Sequence, residues 1–153
     1  MIRARSRVRA WRLAGALAAA VVVPDQAAKA AIEANLFPGE EVNVLGPIDL
    51  TLSHNSGVAF GLASGGGVRL VLVTALALAV VGYLFWRDPT RPGMWVAAGL
   101  LTGGALGNLA DRIRADAVTD YIAIGGWPAF NLADVAVTLG VLVLAASYLW
   151  EGE

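Results

Sequence analysis

Apolar residues in this chain are concentrated in four runs, at residues 13–24, 68–86, 94–109 and about 129–150. Runs of this kind are typical of helices that cross a membrane. The first run would rise only about 18 Å as a helix, against a hydrocarbon core of roughly 30 Å. We therefore expect the first helix to continue through Asp25, Gln26 and Lys29.

The stretches between the runs have the pattern of strands. Residues 41–45 and 48–53 alternate apolar and polar positions around Gly46 and Pro47, which predicts a short hairpin. The segment AVTDYIAIGGWP, ahead of the fourth run, is rich in β-branched and aromatic residues and predicts a further strand followed by a turn. The expected fold is an all-α membrane protein with four transmembrane helices and a small sheet outside the membrane, forming a single domain over 1–153.

Composition supports a membrane protein. The 153 residues are 58% hydrophobic and only 15% charged, and the mean hydropathy is +0.66, which is too apolar for a soluble domain of this size. The net charge of −1 favours no nucleic-acid partner. The absence of cysteine excludes disulfides and thiolate metal sites, and the single His54 cannot form a metal cluster alone. We expect neither a metal nor a cofactor.

Charge distribution predicts an orientation. If the four runs cross the membrane alternately, seven of the eleven basic residues fall on one side, which the positive-inside rule makes the cytoplasm. They are Arg3, Arg5, Arg7, Arg9, Arg12, Arg87 and Arg91. Trp11, Trp86, Trp95 and Trp150 fall at the same interface, where indole rings prefer to lie. Both termini are therefore expected in the cytoplasm; a cleaved secretory signal is the alternative interpretation of the arginine-rich start.

Two sets of polar residues interrupt the third and fourth runs. Asn108, Asp111 and Arg112 have the spacing i, i+3, i+4, and Asn131 and Asp134 have the spacing i, i+3, so each set shares one helix face. Charged groups at membrane depth are costly and are usually functional. Both sets are expected to face a common interior.

The first helix contributes a third carboxylate at a similar depth. Asp25 precedes Lys29 by one helical turn, and the two are either an ion pair that supports a site or an interfacial pair that orients the helix. Gly99, Gly103 and Gly107 form a stripe of small residues that allows close helix packing. The stripe leads directly to the polar set of the third run.

Aspartates are the main candidates for chemistry. Two carboxyl groups about 3 Å apart share one proton, so one can activate water while the other hydrogen-bonds or protonates a peptide carbonyl, as in aspartic proteases. Two alternatives remain open at this point: carboxylates that pair with Arg112, Arg114 and Lys29 only to hold helices together, and a membrane proton or ion pathway. Spacing alone does not decide whether Asp111 or Asp120 partners Asp134.

The chain resembles the lipoprotein signal peptidase (signal peptidase II) family over nearly its whole length. Five segments carry the resemblance in the family's order: DQAAK at 25–29, NSGVAFG at 55–61, GGALGNLADR at 103–112, VTDYI at 118–122 and FNLAD at 130–134. Two departures are Ala28, where the family usually has a hydroxyl residue, and a short connection between Asp120 and Asp134, which affects the expected shape of the substrate lid.

The resemblance implies an aspartic endopeptidase with Asp120 and Asp134 as its catalytic pair. It implies supporting or substrate-binding roles for Asp25, Lys29, Asn55, Gly57, Phe60, Asn108, Asp111, Arg112 and Asn131. The implied substrates are diacylglyceryl-modified prolipoproteins, which are cut just before the lipid-modified cysteine. The implied setting is the lipid bilayer of the bacterial inner membrane, with an outer β-cradle and an active site near the outer face. We expect a monomer.

Overall fold

The computed structural model describes residues 2–56 and 66–149, with side chains described over 5–56 and 68–149. The helices are α1 (Ile2–Asn35), α2 (Gly66–Arg87), α3 (Met94–Ala115) and α4 (Leu132–Leu149). The strands are β1 (Glu41–Leu45), β2 (Ile48–Asn55), β3 (Val118–Ile124) and β4 (Trp127–Phe130). The chain is thus mostly helical with one small antiparallel sheet, in agreement with the coarse prediction from the sequence.

Three of the described helices, α1, α2 and α4, are long and apolar enough to cross a membrane. Helix α3 is not among them, because polar residues occupy its second half: Asn108, Asp111, Arg112 and Arg114. It is nevertheless the central helix of the bundle, packed against α1, α2 and α4. The fourth transmembrane helix therefore stays a prediction.

Glycines explain how α3 packs so closely on both neighbours. A Cβ atom on Gly99 would lie 2.9 Å from the backbone oxygen of Ala14, and one on Gly103 would lie 2.8 Å from that of Ala18. A Cβ atom on Gly104 would likewise lie too close to the backbone of α4. Since a Cβ atom cannot approach backbone that closely, only glycine fits at these positions. The predicted role of the glycine stripe is confirmed.

The four strands form one antiparallel sheet in the order β1-β2-β3-β4. Strand β4 corrects the sequence prediction, which began the fourth helix near Ala129. The turn at Gly125 and Gly126, both with positive φ, pairs Trp127 with Ile124, so the helix cannot begin until Leu132. The third helix also runs further than the predicted residues 94–109, to Ala115.

The sheet packs on the end of α1. A cluster of Ile32, Leu52 and Tyr121 joins the helix to β2 and β3, and Leu50 and Ile122 pack against it. Strand β3 begins shortly after α3 ends, so its first residues lie beside the bundle. The sheet thereby holds the segment around Asp120 against the helix ends.

The opposite end of the bundle collects basic and aromatic residues. Trp11 of α1 contacts Phe85 of α2 edge to face, with 4.5 Å between ring centroids. Arg7 donates a hydrogen bond of 2.7 Å from Nη2 to the backbone oxygen of Trp86. The predicted clustering of these residues at one end is therefore observed, while Trp150 lies outside the described residues.

Candidate active site

A buried ion triplet joins α1 to α3. The Lys29 ammonium lies 2.8 Å from Asp25 Oδ2 and 2.6 Å from Asp111 Oδ2, and all three side chains are buried. Lys29 also donates to Asn108 Oδ1 at 2.9 Å. Since a buried charge is tolerated only when it is paired and hydrogen-bonded, Asp25 and Lys29 are an internal pair and not an interfacial one. Of the three cations that the sequence offered as partners for the carboxylates, Lys29 is the one that forms an ion pair with Asp111.

Asp25 also connects α1 to the start of α4. Its Oδ1 accepts a hydrogen bond of 3.0 Å from the backbone N–H of Ala133. The carboxylate passes directly over Gly107, where a Cβ atom would lie 2.8 Å from Oδ2. The last glycine of the stripe therefore leaves room for a polar contact and not only for helix packing.

The N-terminus of α4 fixes Asp134. Asn131 precedes the helix and accepts a hydrogen bond of 2.9 Å at Oδ1 from the backbone N–H of Asp134. In return, Asp134 Oδ2 accepts one of 3.3 Å from the backbone N–H of Asn131. Such reciprocal capping satisfies N–H groups that have no partner within the helix, and a carboxylate in the first turn is stabilised by the helix dipole. Asp134 is therefore held in one orientation.

Two asparagine amides connect Asp120 with Asp134. Asn131 Nδ2 donates to Asp120 Oδ1 at 2.7 Å and to Asn108 Oδ1 at 3.2 Å. Asn108 Nδ2 donates to Asp134 Oδ1 at 2.8 Å. Asp120 comes from β3 and Asp134 from α4, so this network joins the sheet to the bundle at one polar site.

The surroundings of Asp120, which lies on β3 and outside the helices, raise the affinity of its carboxyl group for a proton. Burial raises the pKa of Asp120 to about 6, and the negative charge of Asp134 adds to the rise. Hydrogen bonds from Asn55 and Asn131 and the charge of Lys29 act in the opposite direction. A pair of carboxyl groups that holds one proton is the arrangement required for acid–base catalysis by aspartates.

The remaining predicted residues take different positions. Arg112 donates from Nη1 to the backbone oxygen of Asn108 at 3.4 Å, so it contacts the site through the backbone. Among the described residues, its buried Nε has no acceptor. Asn55 reaches Asp120 by a side-chain hydrogen bond. Gly57 and Phe60 lie outside the described residues.

Residues that the sequence analysis did not identify complete the network. Gln26 donates from Nε2 to Asp111 Oδ1 at 2.9 Å and accepts from Arg114 at 2.7 Å. Thr119 donates from Oγ1 to Glu33 Oε1 at 2.5 Å. The sequence contains a pattern that could have identified two of these residues: Gln26, Lys29 and Glu33 have the spacing i, i+3, i+7 and so share one helix face.

Comparison with known proteins identifies the family of the chain. Residues 17–150 match the family model described as signal peptidase (SPase) II. The chain belongs to the signal peptidase II family. All of the polar network described above falls within the matched residues. The protein is therefore a peptidase, and it contains helices that are long and apolar enough to cross a membrane.

Individual relatives agree with this identification. A lipoprotein signal peptidase of Pelotomaculum thermopropionicum is 42% identical over 138 residues, covering 88% of this chain and 90% of the relative. One of Moorella thermoacetica is 41% identical over 130 residues, covering 84% and 87%. A solved structure described as a bacterial membrane enzyme, determined by the in meso method at 1.9 Å resolution, has a TM-score of 0.84 at 31% identity and covers 90% of this chain and 93% of its own.

Proposed function

We propose that this signal peptidase II chain removes the signal peptide from lipoproteins, with Asp120 and Asp134 as its catalytic pair. The observation that carries the proposal is the network in which Asn131 and Asn108 join these two carboxyl groups. The relatives named lipoprotein signal peptidases support the substrate class. The proposed substrates are diacylglyceryl-modified prolipoproteins, cut just before the modified cysteine.

The proposed reaction uses one shared proton. Asp134, which accepts hydrogen bonds from Asn108 and from the Asn131 backbone, takes a proton from water as the water attacks the scissile carbonyl. Asp120 gives its proton to the carbonyl oxygen, which forms a tetrahedral diol. The proton on Asp134 then passes to the amide nitrogen, the C–N bond breaks, and Asp120 recovers its proton from the diol. The pair ends in its starting state.

The ion triplet has a positioning role in this proposal. Lys29 donates to Asn108 Oδ1, so the amide of Asn108 must direct its Nδ2 toward Asp134. Asp25 and Asp111 hold the Lys29 side chain in place by two ion pairs. Neither of these two carboxylates is available as a base, because each is bound to the ammonium.

The proposed setting is the bacterial inner membrane, with α3 as the fourth spanning helix. Its close packing between α1 and α4 supports this assignment, since a helix buried among spanning helices can carry polar groups that lipid would exclude. The polar site lies at the end of the bundle beside the sheet, whereas Arg7, Trp11 and Trp86 lie at the other end, which supports cytoplasmic termini and a site near the outer face. We expect the protein to act as a monomer.

The test is cleavage by the purified full-length protein of one prolipoprotein in its diacylglyceryl-modified and unmodified forms. We expect signal-peptide release from the modified form only, without inhibition by a metal chelator. Asp49→Asn is the matched control, because Asp49 is a carboxylate of the neighbouring strand β2 whose side chain accepts a hydrogen bond from Asn43 of the β1–β2 hairpin, away from Asp120 and Asp134. Equal cleavage of both substrate forms would contradict the proposed lipid requirement, and chelator sensitivity would contradict the proposed chemistry.

A further inference from the structure

The ammonium group of Lys29 uses all of its donors within the network. A lysine ammonium can donate three hydrogen bonds. The three partners of Lys29 are Asp25 Oδ2 at 2.8 Å, Asp111 Oδ2 at 2.6 Å and Asn108 Oδ1 at 2.9 Å. A shift of either carboxylate would therefore turn the ammonium away from Asn108, whose Nδ2 donates to Asp134 at 2.8 Å. The geometry at Asp134 thus depends on how firmly the two carboxylates are held.

Gln26 holds the Asp111 carboxylate from the side opposite Lys29. Its Nε2 donates to Asp111 Oδ1 at 2.9 Å and to the backbone oxygen of Gly107 at 3.2 Å. One carboxylate oxygen of Asp111 therefore faces Gln26 and the other faces Lys29. Together the two contacts fix the plane of the carboxylate. Without the donor at position 26, that plane would be free to rotate.

Arg114 determines which end of the Gln26 amide faces Asp111. Its Nη1 donates to Gln26 Oε1 at 2.7 Å. The accepting end of the amide is thus occupied, and the donating end is left for the carboxylate. Arg114 is exposed, Gln26 is half-buried and Asp111 is buried. A chain of hydrogen bonds therefore runs from the protein surface to the buried ion triplet.

We propose that Gln26 is a positioning residue for the catalytic pair. It holds the plane of Asp111, and Asp111 orients the Lys29 ammonium. Asn108, bound by that ammonium, then presents its Nδ2 to Asp134. The hydrogen bonds of Gln26 described here reach neither carboxylate of the pair, so its effect passes through the ion triplet. This inference rests on the proposed function, because it requires a reaction at Asp134.

Two single variants remove the donor at position 26 while keeping the length of the side chain. Gln26→Met adds no charge, whereas Gln26→Glu sets a carboxylate against that of Asp111. Position 26 lines a cavity of about 110 Å³, so side chains of this length fit without displacing a helix. Asn35→Asp is the matched control, because it makes the same amide-to-carboxylate change at the end of α1, where the amide donates to the backbone oxygen of Ala31. The cleavage assay with full-length protein gives kcat and KM, and thermal unfolding gives Tm.

We expect the kcat of both folded Gln26 variants to fall roughly 10- to 100-fold at little changed KM, because a misplacement of about 1 Å can cost that much. Asn35→Asp should keep the wild-type kcat. The double variant that combines Gln26→Glu with Asp111→Asn should be faster than either single variant. Its new amide at position 111 can donate to the new carboxylate at position 26 and still accept from Lys29, so the hydrogen bond is restored with its direction reversed.

A folded Gln26→Met protein with unchanged kcat would overturn the inference, and a lower Tm in that case would leave Gln26 a structural role only. A change confined to KM would also overturn it, because it would indicate contact with the substrate. A double variant slower than both single variants would exclude the route through Asp111. An inactive wild type would refute the proposed function and this inference with it, whereas an active wild type that is insensitive to position 26 would refute the inference alone.

Discussion

At the scale of single residues, the site depends on amide groups whose orientation is fixed by a charge. An asparagine side chain has one accepting and one donating end. Lys29 occupies the accepting end of Asn108, which leaves its donating end for Asp134. Asn131 is fixed by a backbone group instead, because its Oδ1 accepts from the N–H of Asp134 and its Nδ2 must then face Asp120.

The ion triplet gives the first prediction. Lys29→Met leaves Asp25 and Asp111 buried without their cation, and breaking a buried pair in this way typically costs about 3–5 kcal/mol. Asp25→Asn is the milder change, because the amide keeps the size of the carboxylate and Oδ1 can still accept from Ala133. We expect a large loss of thermal stability for the first variant and a reduced but measurable cleavage rate for the second. A fully folded Asp25→Asn protein as inactive as the catalytic-pair variants would contradict a positioning role.

The second prediction concerns the pH dependence of stability. The pKa of Asp120 rises from 3.8 to about 6 on folding, so the folded state holds the proton more tightly and the wild type loses stability as pH rises through this interval. Asp120→Asn has no proton to lose. We expect the difference in Tm, variant minus wild type, to increase between pH 4 and pH 6 and then to level off. A difference that stays constant, or that decreases over this range, would show that the pKa is not raised.

The residues of the site were only partly predictable from sequence. Spacing correctly grouped Asn108 and Asp111 on α3, because that follows from helix geometry alone. It placed Asn131 on a helix face with Asp134, whereas Asn131 precedes α4 and meets Asp134 by capping the helix. It did not choose Asp120 over Asp111, because that choice depends on the way β3 meets α4 in space. The resemblance to the family favours Asp120, and the pairing of Asp111 with Lys29 is consistent with that proposal.

At the scale of elements, α3 is organised by glycine. One face of this helix meets the α1 backbone and another meets the α4 backbone, and both approaches require the absence of a side chain. Close approach lets Asn108 reach Asp134 on α4 while Lys29 reaches Asn108 from α1. Helix packing and the polar network are therefore consequences of the same sequence pattern.

This organisation gives the third prediction, for Gly103→Ala. The new Cβ would lie 2.8 Å from the Ala18 oxygen, so α1 and α3 must separate. Gly82→Ala on α2 is the matched control, because nothing lies within 4 Å of its Cβ position and alanine is favoured over glycine in a helix by roughly 1 kcal/mol. Thermal unfolding in detergent should show a lower Tm for the first variant and an unchanged or higher one for the second. An equal effect of both substitutions would mean that the packing of α3 is not the cause.

Helices, which long apolar runs indicate, were predicted well from the sequence. Strand β4, which depends on pairing with another strand, was not. The runs of apolar residues predicted all four helices, whereas β4 was missed: its first two residues were assigned to a turn and its last two to the start of the fourth helix. Strand β4 contains Pro128, which cannot donate to a sheet and therefore resembles an interruption in the sequence. The strand is possible because β4 lies at the edge of the sheet, and that position depends on how the strands pair in space.

At the scale of the whole molecule, the two ends of the bundle carry different groups. The ion triplet and the two candidate catalytic carboxylates lie at the end beside the sheet, while Arg7, Trp11 and Trp86 lie at the other. A protein that crosses a bilayer with this polarity should have its basic end in the cytoplasm.

The fourth prediction tests this orientation. Thr90→Cys lies in the exposed connection between α2 and α3, and Ser56→Cys lies just after β2 at the sheet end. With a membrane-impermeant thiol reagent on intact cells, we expect labelling at position 56, and labelling at position 90 only after permeabilisation. The reverse pattern would invert the proposed topology.

The most direct test of the account is the cleavage rate of the modified prolipoprotein by Asp120→Asn, Asp134→Asn and the double variant. General acid–base steps contribute about 10²- to 10⁴-fold each, and groups that act as a unit are strongly non-additive. We predict that each single variant stays folded and loses nearly all activity, and that the double variant is little slower than either. Substantial cleavage by a folded single variant, or a double variant slowed by the product of two independent losses, would contradict a shared-proton pair.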